Sequence, residues 1–270
     1  MTNYLHFDNL QDFWDYSFQE SNARIRSSRA GRRGIRWDNN LTWEEAKHLA
    51  QSGWVEGMKE IEKYRAVLEP QITKHILRPI PESSYTGYVV DVGAYLSNNP
   101  ECFITRGWEK KNYPGKLYTL VVSCSFSCNV DSDTIIKRGA LVCALVDALE
   151  YAGHRVEVIC NETTTSYGDS KNEIDVVVKQ HEQPLDMTDL AFCLAHPAML
   201  RRIMFSANEL MGWSDYTGGS YGAPCEATNQ GDLYINEIHS GKVVVNEALT
   251  WLFEKLKALG VDFSKDMEEQ

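Results

Sequence analysis

A mixed α/β fold, with a mostly parallel sheet flanked by helices, is what this sequence predicts, and three observations along Leu117 to Cys160 predict it. Tyr118 to Val122 is a short, continuous apolar run, as expected of a strand buried on both faces. Asp131-Ser132-Asp133 then offers side-chain oxygens to the free amides of a helix, whose Ile135, Ile136, Leu141, Ala144, Leu145, Ala148 and Leu149 fall on one stripe before Gly153 stops it. Arg155 to Cys160 reads as a second strand. Strand, crossover helix and strand on short loops form a right-handed βαβ unit, placing Ser123 to Asn129 at the carboxyl edge of the sheet, where open α/β folds bind ligands.

Ahead of that unit, Met1 to Gln19 gathers Tyr4, Phe7, Phe13, Trp14, Tyr16 and Phe18, which predicts a short packed helix. Arg24, Arg26, Arg29, Arg32, Arg33 and Arg36 follow, six guanidinium groups in thirteen residues with no acid among them. Gly31 and Gly34 loosen the stretch, and Trp37 supplies an indole beside Arg36. Such a stretch reads as a basic arm, either solvated or holding phosphates and stacking bases. Thr42-Trp43-Glu44-Glu45 is a capping box that begins a helix running to Tyr64 and ended by Pro70, with Gly53 and Gly57 allowing close approach of another backbone. Gly87 to Leu96 reads as a strand added at the sheet edge, then a turn. From Arg106 to Lys116, cations alternate with rings in a loop: Arg106, Trp108, Lys110, Lys111 and Tyr113 fit single-strand binding, whereas a plain surface loop would turn its rings inward.

Beyond the βαβ unit, Asn161 to Asn172 reads as a mobile polar loop and Ile174 to Lys179 as a third strand. Asp186 caps a helix to His196, and Pro197 starts another through Leu210 with Arg201 and Arg202 on its surface. Thr217 to Gly222 matches no phosphate-cradling motif and reads as a flexible loop. Asp232 to Asn236 is a fourth strand, and about Val243 to Leu259 a last helix with a narrow apolar seam. Ser264 to Gln270 is an acidic tail. The expected organisation is an arm at 1–41, a single α/β domain at 42–260 and a tail at 261–270.

The formal net charge of -11 argues against a protein that coats nucleic acid with its whole surface, while leaving room for a local basic patch. Seven cysteines, an odd number, fit a reduced compartment. No apolar run nears the ~20 residues of a membrane helix, and Met1 to Asn9 is no signal peptide, so a cytoplasmic protein is expected. The nucleophile-elbow pattern is absent, Cys124 and Cys128 lack a second pair of ligands, and Cys225 and His239 have no supporting spacing. Neither a catalytic residue, a metal nor a cofactor is expected; the enzymatic alternative is an unrecognised hydrolase.

Ser123-x-Ser125-x-Ser127 resembles the metal-adhesion motif of von Willebrand factor A domains, and the strand and helix order from Tyr118 to Leu259 is similar too, implying a Rossmann-like core. Ser123 stands where that motif has aspartate, so metal binding is not implied. Gly53-Trp54-x-x-Gly57, Asp91-Val92 through Pro100-Glu101, and Arg138-Gly139 through Glu157 also resemble an uncharacterised family frequent in bacteriophage genomes. Within it, the chain is similar to the single-stranded-DNA-binding RNA polymerase cofactors of lytic short-tailed phages. That resemblance implies binding to melted promoter DNA and recruitment of a phage RNA polymerase in the bacterial host cytoplasm, without the usual oligonucleotide-binding barrel; a homo-oligomer that lines up its basic arms into one track is expected. The expected contacts are Arg24, Arg26, Arg29, Arg32, Arg33, Arg36, Arg106, Lys110 and Lys111 on phosphates, with Trp37, Trp108 and Tyr113 on bases. A von Willebrand A-like protein-interaction module is the alternative.

Overall fold

The computed structural model describes residues 2–24, 26–110, 115–166 and 170–240, together with 250, 251, 254, 255, 257 and 259. Thr2–Phe7 forms strand β1, and the Asn9 side chain accepts the Asp12 amide to start helix α1 (Leu10–Ser17). Helix α2 (Ile35–Asp38) is one turn; α3 (Trp43–Ser52) opens on the predicted capping box, the Thr42 hydroxyl and Glu45 carboxylate each holding the other's amide. Helix α4 (Met58–Ile76) leads to a small sheet of β2 (Leu77–Ser84), β3 (Val89–Val90), then helix α5 (Val92–Leu96) and β4 (Phe103–Lys110). The βαβ unit is β5 (Leu117–Ser123), α6 (Ser132–Tyr151) and β6 (Arg155–Thr165), followed by β7 (Lys171–Lys179) and α7 (Met187–Ala195). A π-helical stretch (Met199–Met204) continues into α8 (Phe205–Leu210), and α9 (Trp213–Tyr216), β8 (Ala223–Pro224) and β9 (Leu233–Ile235) complete the described elements.

The main sheet runs β1-β7-β6-β5-β9, with β8 added on β6. Three of its five pairings among the described residues are parallel, so the mostly parallel α/β architecture is present. The βαβ unit forms as the sequence predicts, with Val121 beside Ile159 and Gly153 at φ +94 ending α6. Helix α6 is buried almost all round because β-sheet, α4 and α7 enclose it, and Gly139 lets α7 come close: a Cβ there would lie 2.2 Å from the Ala195 Cα. Each fully buried Leu or Val in this layer, such as Leu145 and Val142, contributes about 1.5–3 kcal/mol.

Several elements depart from the sequence reading. The N-terminal aromatic stretch is a strand before it is a helix, because Tyr4 and His6 alternate with Leu5 and Phe7 across two faces of β1. The helix from Trp43 breaks at Gly53, whose φ of +74 and closeness to Thr188 (2.3 Å from an added Cβ to Oγ1) no other residue suits, and Pro70 lies inside α4 instead of ending it. Val89 and Val90 belong to the separate small sheet, and Arg106 to Lys110 is strand where a loop was expected. Asn161 to Asn172 is largely strand as well: Asn161 to Thr165 and Lys171 to Asn172 pair antiparallel, so the third predicted strand runs against its neighbour. The predicted last helix and acidic tail lie mostly or wholly outside the described residues.

Candidate nucleic-acid interface

The stretch carrying six arginines is folded onto the domain, and two buried side chains hold it there. Arg202, 1% exposed, donates to the carbonyls of Ser28 (2.7 Å), Gly31 (3.1 Å), Leu41 (2.9 Å) and Ala30, and forms a 2.5 Å ion pair with fully buried Asp38. Glu209 accepts from the Ser28 amide (2.9 Å), the Ser28 hydroxyl (2.7 Å) and the Tyr221 hydroxyl (2.6 Å). Arg201 lies 4.0 Å over the Trp37 ring and donates to the Trp37 and Val130 carbonyls. Burial lowers Arg201 to about 10, so it remains a cation at neutral pH. Arg201 and Arg202 therefore sit in the interior, not on the surface: between them they donate to five carbonyls of the 28–41 segment, which no sheet would satisfy.

The arginines of the stretch itself divide into two groups. Arg29 donates to the Phe18 and Gln19 carbonyls and stacks 5.1 Å over Trp43, and Arg32 holds the Asn40 carbonyl and the Glu45 carboxylate (2.6 Å). These two are structural. Arg24 and Arg33 expose side chains that have no hydrogen-bond or ionic partner among the described residues. Arg26 reaches only the Ser21 carbonyl at 3.3 Å, and Arg36, 89% exposed, is 3.9 Å from Asp131. Trp37 is half-buried with Arg201 on one face, so it offers less ring than the sequence suggests.

Strand β4 carries the second predicted cluster. Arg106 and Trp108, two residues apart, project from the same face, Trp108 is 59% exposed, and Lys110 ends the strand opposite Leu77. Lys111 and Tyr113 lie outside the described residues. Around this pair, Tyr85, Tyr88 and Tyr95 are exposed, as are Val89, Val90, Val92 and Leu96. Among the described residues, eight of the fifteen exposed large hydrophobic side chains thus fall within 85–108.

At the carboxyl edge of β5 the serines are committed to the sheet. The Ser125 hydroxyl donates to the Thr163 carbonyl (3.0 Å) and accepts the Thr163 amide (2.8 Å), and Ser123 accepts the Ser125 amide (3.3 Å). The Arg138 guanidinium fills the crevice, donating to the carbonyls of Ser123 (2.8 Å), Ile235 (3.2 Å) and Asn236 (2.5 Å) and lying 5.4 Å over Phe126. Among the described residues no three His, Cys, Asp or Glu side chains gather as a metal site would require.

Residues 2–262 match the family described as a domain of unknown function, DUF7192. The chain belongs to that family. No curated protein and no solved structure matches it.

In this member of the family, the residues that sequence reasoning missed are the buried polar ones of β6 and β7. On one face Asn161 donates to Asp175 (2.6 Å), which also receives the Tyr4 hydroxyl (3.0 Å), and Glu173 accepts from the Thr228 amide (2.7 Å) and hydroxyl. On the other face Asn208 bridges, donating to Glu162 (3.1 Å) and accepting from Asn172 (2.6 Å). Among the described residues Glu162 Oε1 and Asn172 Oδ1 have no partner, and burial pushes the Glu162 carboxyl up to about 8. Burial without a neighbouring cation to offset it favours the protonated form of this carboxyl. His196, pushed down to about 3 by burial between Trp54 and Phe192, is a neutral core histidine. No described helix is long and apolar enough to cross a membrane.

Proposed function

We propose that this is a non-enzymatic single-stranded-DNA-binding protein whose contact surface centres on Trp108 and Arg106 of β4, with Arg24, Arg26, Arg33 and Arg36 as further phosphate contacts. The observation that carries the reading is the 59% exposed Trp108 beside exposed Arg106 on one strand face, the pairing of ring and cation that holds unpaired bases. Each stacked ring is worth about 1–3 kcal/mol, and each phosphate contact adds about 0.7 to the salt slope. With a net charge of -11, contact is confined to these patches and affinity falls steeply with salt. The resemblance to phage polymerase cofactors extends the proposal to recruitment of a phage RNA polymerase to melted promoters in the host cytoplasm, with the exposed Val92, Tyr95 and Leu96 of α5 fitting a protein partner.

Competition of single-stranded DNA, duplex DNA and RNA for the purified protein at two salt concentrations tests it. Single strands should displace a labelled oligonucleotide far better than duplex, more so at low salt. Equal competition by duplex, or no binding at low salt, contradicts the proposal. A von Willebrand-type protein-interaction module is the second reading, favoured by the exposed aliphatic surface of α5 and, for a mode without metal, by Ser123 where that motif has aspartate. Under it, partner capture survives chelation of divalent cations and is lost in Leu96→Asp, with no nucleic acid bound.

A further inference from the structure

The small sheet closes one of its edges and leaves the other open. In β4 the carbonyls of Cys102 and Ile104 accept the amides of Asp91 and Tyr88, so even-numbered residues of this strand turn their backbone groups toward the β3 side. Odd-numbered residues face β2, where Ile80 and Glu82 lie opposite Gly107 and Thr105, and the backbone of Pro79 and Pro81 falls on the outward side. Two prolines remove two donors from that outer edge and close it to a further strand. Past Ile104 nothing does the same for β4: β3 pairs only with Phe103 and Ile104, and among the described residues no strand takes the backbone groups of Arg106 and Trp108. Such an open row of donors and acceptors is a template for another extended segment.

We propose that this chain's own residues 261–270, which lie outside the described residues, add to β4 as an antiparallel strand alongside Arg106 and Trp108. Three observations select this occupant. Position is the first: the Leu259 carbonyl accepts the Tyr118 hydroxyl, and Tyr118 follows the Lys110 end of β4 by eight residues, so the segment leaves the body near the foot of the small sheet. Ten residues extend to about 33 Å, enough to reach along β4, and a segment that starts from the Lys110 end runs against that strand. Pattern is the second. Val261, Phe263 and Met267 alternate with Asp262, Ser264, Asp266 and Glu268, the period of two that an extended strand needs. Charge is the third: Arg106 is exposed with no ionic partner among the described residues, and the even-numbered acids on its face pair carboxylate with guanidinium across the strands. The opposite parity would set Lys265 on the face of Arg106, whereas this one sends Lys265 to the face that carries Glu82. The added strand stops short of Ile104, whose carbonyl Tyr88 already holds. A tethered segment also acts at an effective concentration in roughly the millimolar range, which a separate peptide or a second copy lacks in dilute solution.

The docking is intramolecular and involves no nucleic acid, and it is tested on those terms. Hydrogen exchange of the full-length protein, read at single residues across a dilution series, should show the Arg106 and Trp108 amides protected to the same degree at every concentration. A chain ending at Gly260 should exchange both amides at least about tenfold faster while keeping its cooperative melt. Should that chain fail to fold, Asp266→Lys with Glu268→Lys in the full-length protein should cause the same loss of protection, since like charges then meet at Arg106. Free exchange of the two amides in the native protein, protection that survives these changes, or protection that fades on dilution overturns the proposal, the last result pointing to a second copy instead.

Discussion

Two basic regions that look alike in sequence fold to opposite ends. The stretch from Arg24 to Arg36 is pinned by Arg202, Asp38 and Glu209, and two of its six arginines, Arg29 and Arg32, are used internally. Among its described side chains, the small sheet buries only Cys102 and Gly107 and exposes Tyr88, Trp108 and Arg106. Counting guanidinium groups therefore overstates the first region and understates the second. What a ligand meets depends on which donors the backbone has already taken.

The largest expected effect is on the pinned region. Arg202→Ala leaves Asp38 buried and unpaired and four loop carbonyls without donors, and should lower unfolding free energy by about 3–5 kcal/mol in a denaturant melt. If the chain tolerates it within about 1 kcal/mol, the claim that this stretch is structural is wrong. Next comes pH. Glu162 keeps its proton to about 8 when folded and releases it near 4.5 when unfolded, so its contribution is full below about 4.5 and is lost as pH rises toward 8. The span corresponds to an upper bound of about 5 kcal/mol. Glu162→Gln should flatten stability between pH 5 and about 8, and an unchanged slope would show that the carboxyl is ionised in the fold.

Effects on the exposed region should appear in binding and not in folding. Trp108→Ala should weaken single-strand affinity by about 1–3 kcal/mol while moving stability by less than about 0.5 kcal/mol. Arg33→Ala is the smallest: a salt slope lower by about 0.7, with the melt unchanged. A large loss of stability in either would mean that the surface is packed rather than open.

The sequence revealed what regular burial writes into it. Asp131, the apolar stripe of α6 and Gly153 announce that helix, and Tyr118 to Val122 announce β5, because a strand covered on both faces must be apolar throughout. It concealed what polar burial hides. Asn161 to Thr165, Lys171 and Asn172 look like loop because polar groups in β6 and β7 satisfy one another inside the sheet. Arg201 and Arg202 look like surface because charges usually are, and only the carbonyl-rich loop from Ser28 to Leu41, invisible without the fold, explains their burial. Of the candidate site, the Arg106 and Trp108 pairing was legible from composition, whereas its placement on an open strand edge was not, since β3 ends after two residues for no reason its sequence displays.

The central claim is that exposure on β4, not the number of arginines, determines single-strand binding. Fluorescence anisotropy of a labelled single strand across a salt series, run on Arg106→Ala with Trp108→Ala and on Arg29→Ala with Arg32→Ala, tests it directly. The first pair should abolish most of the affinity and flatten the salt dependence, and the second should leave both near the native values. Undiminished binding in the first pair, with collapse in the second, would contradict the account.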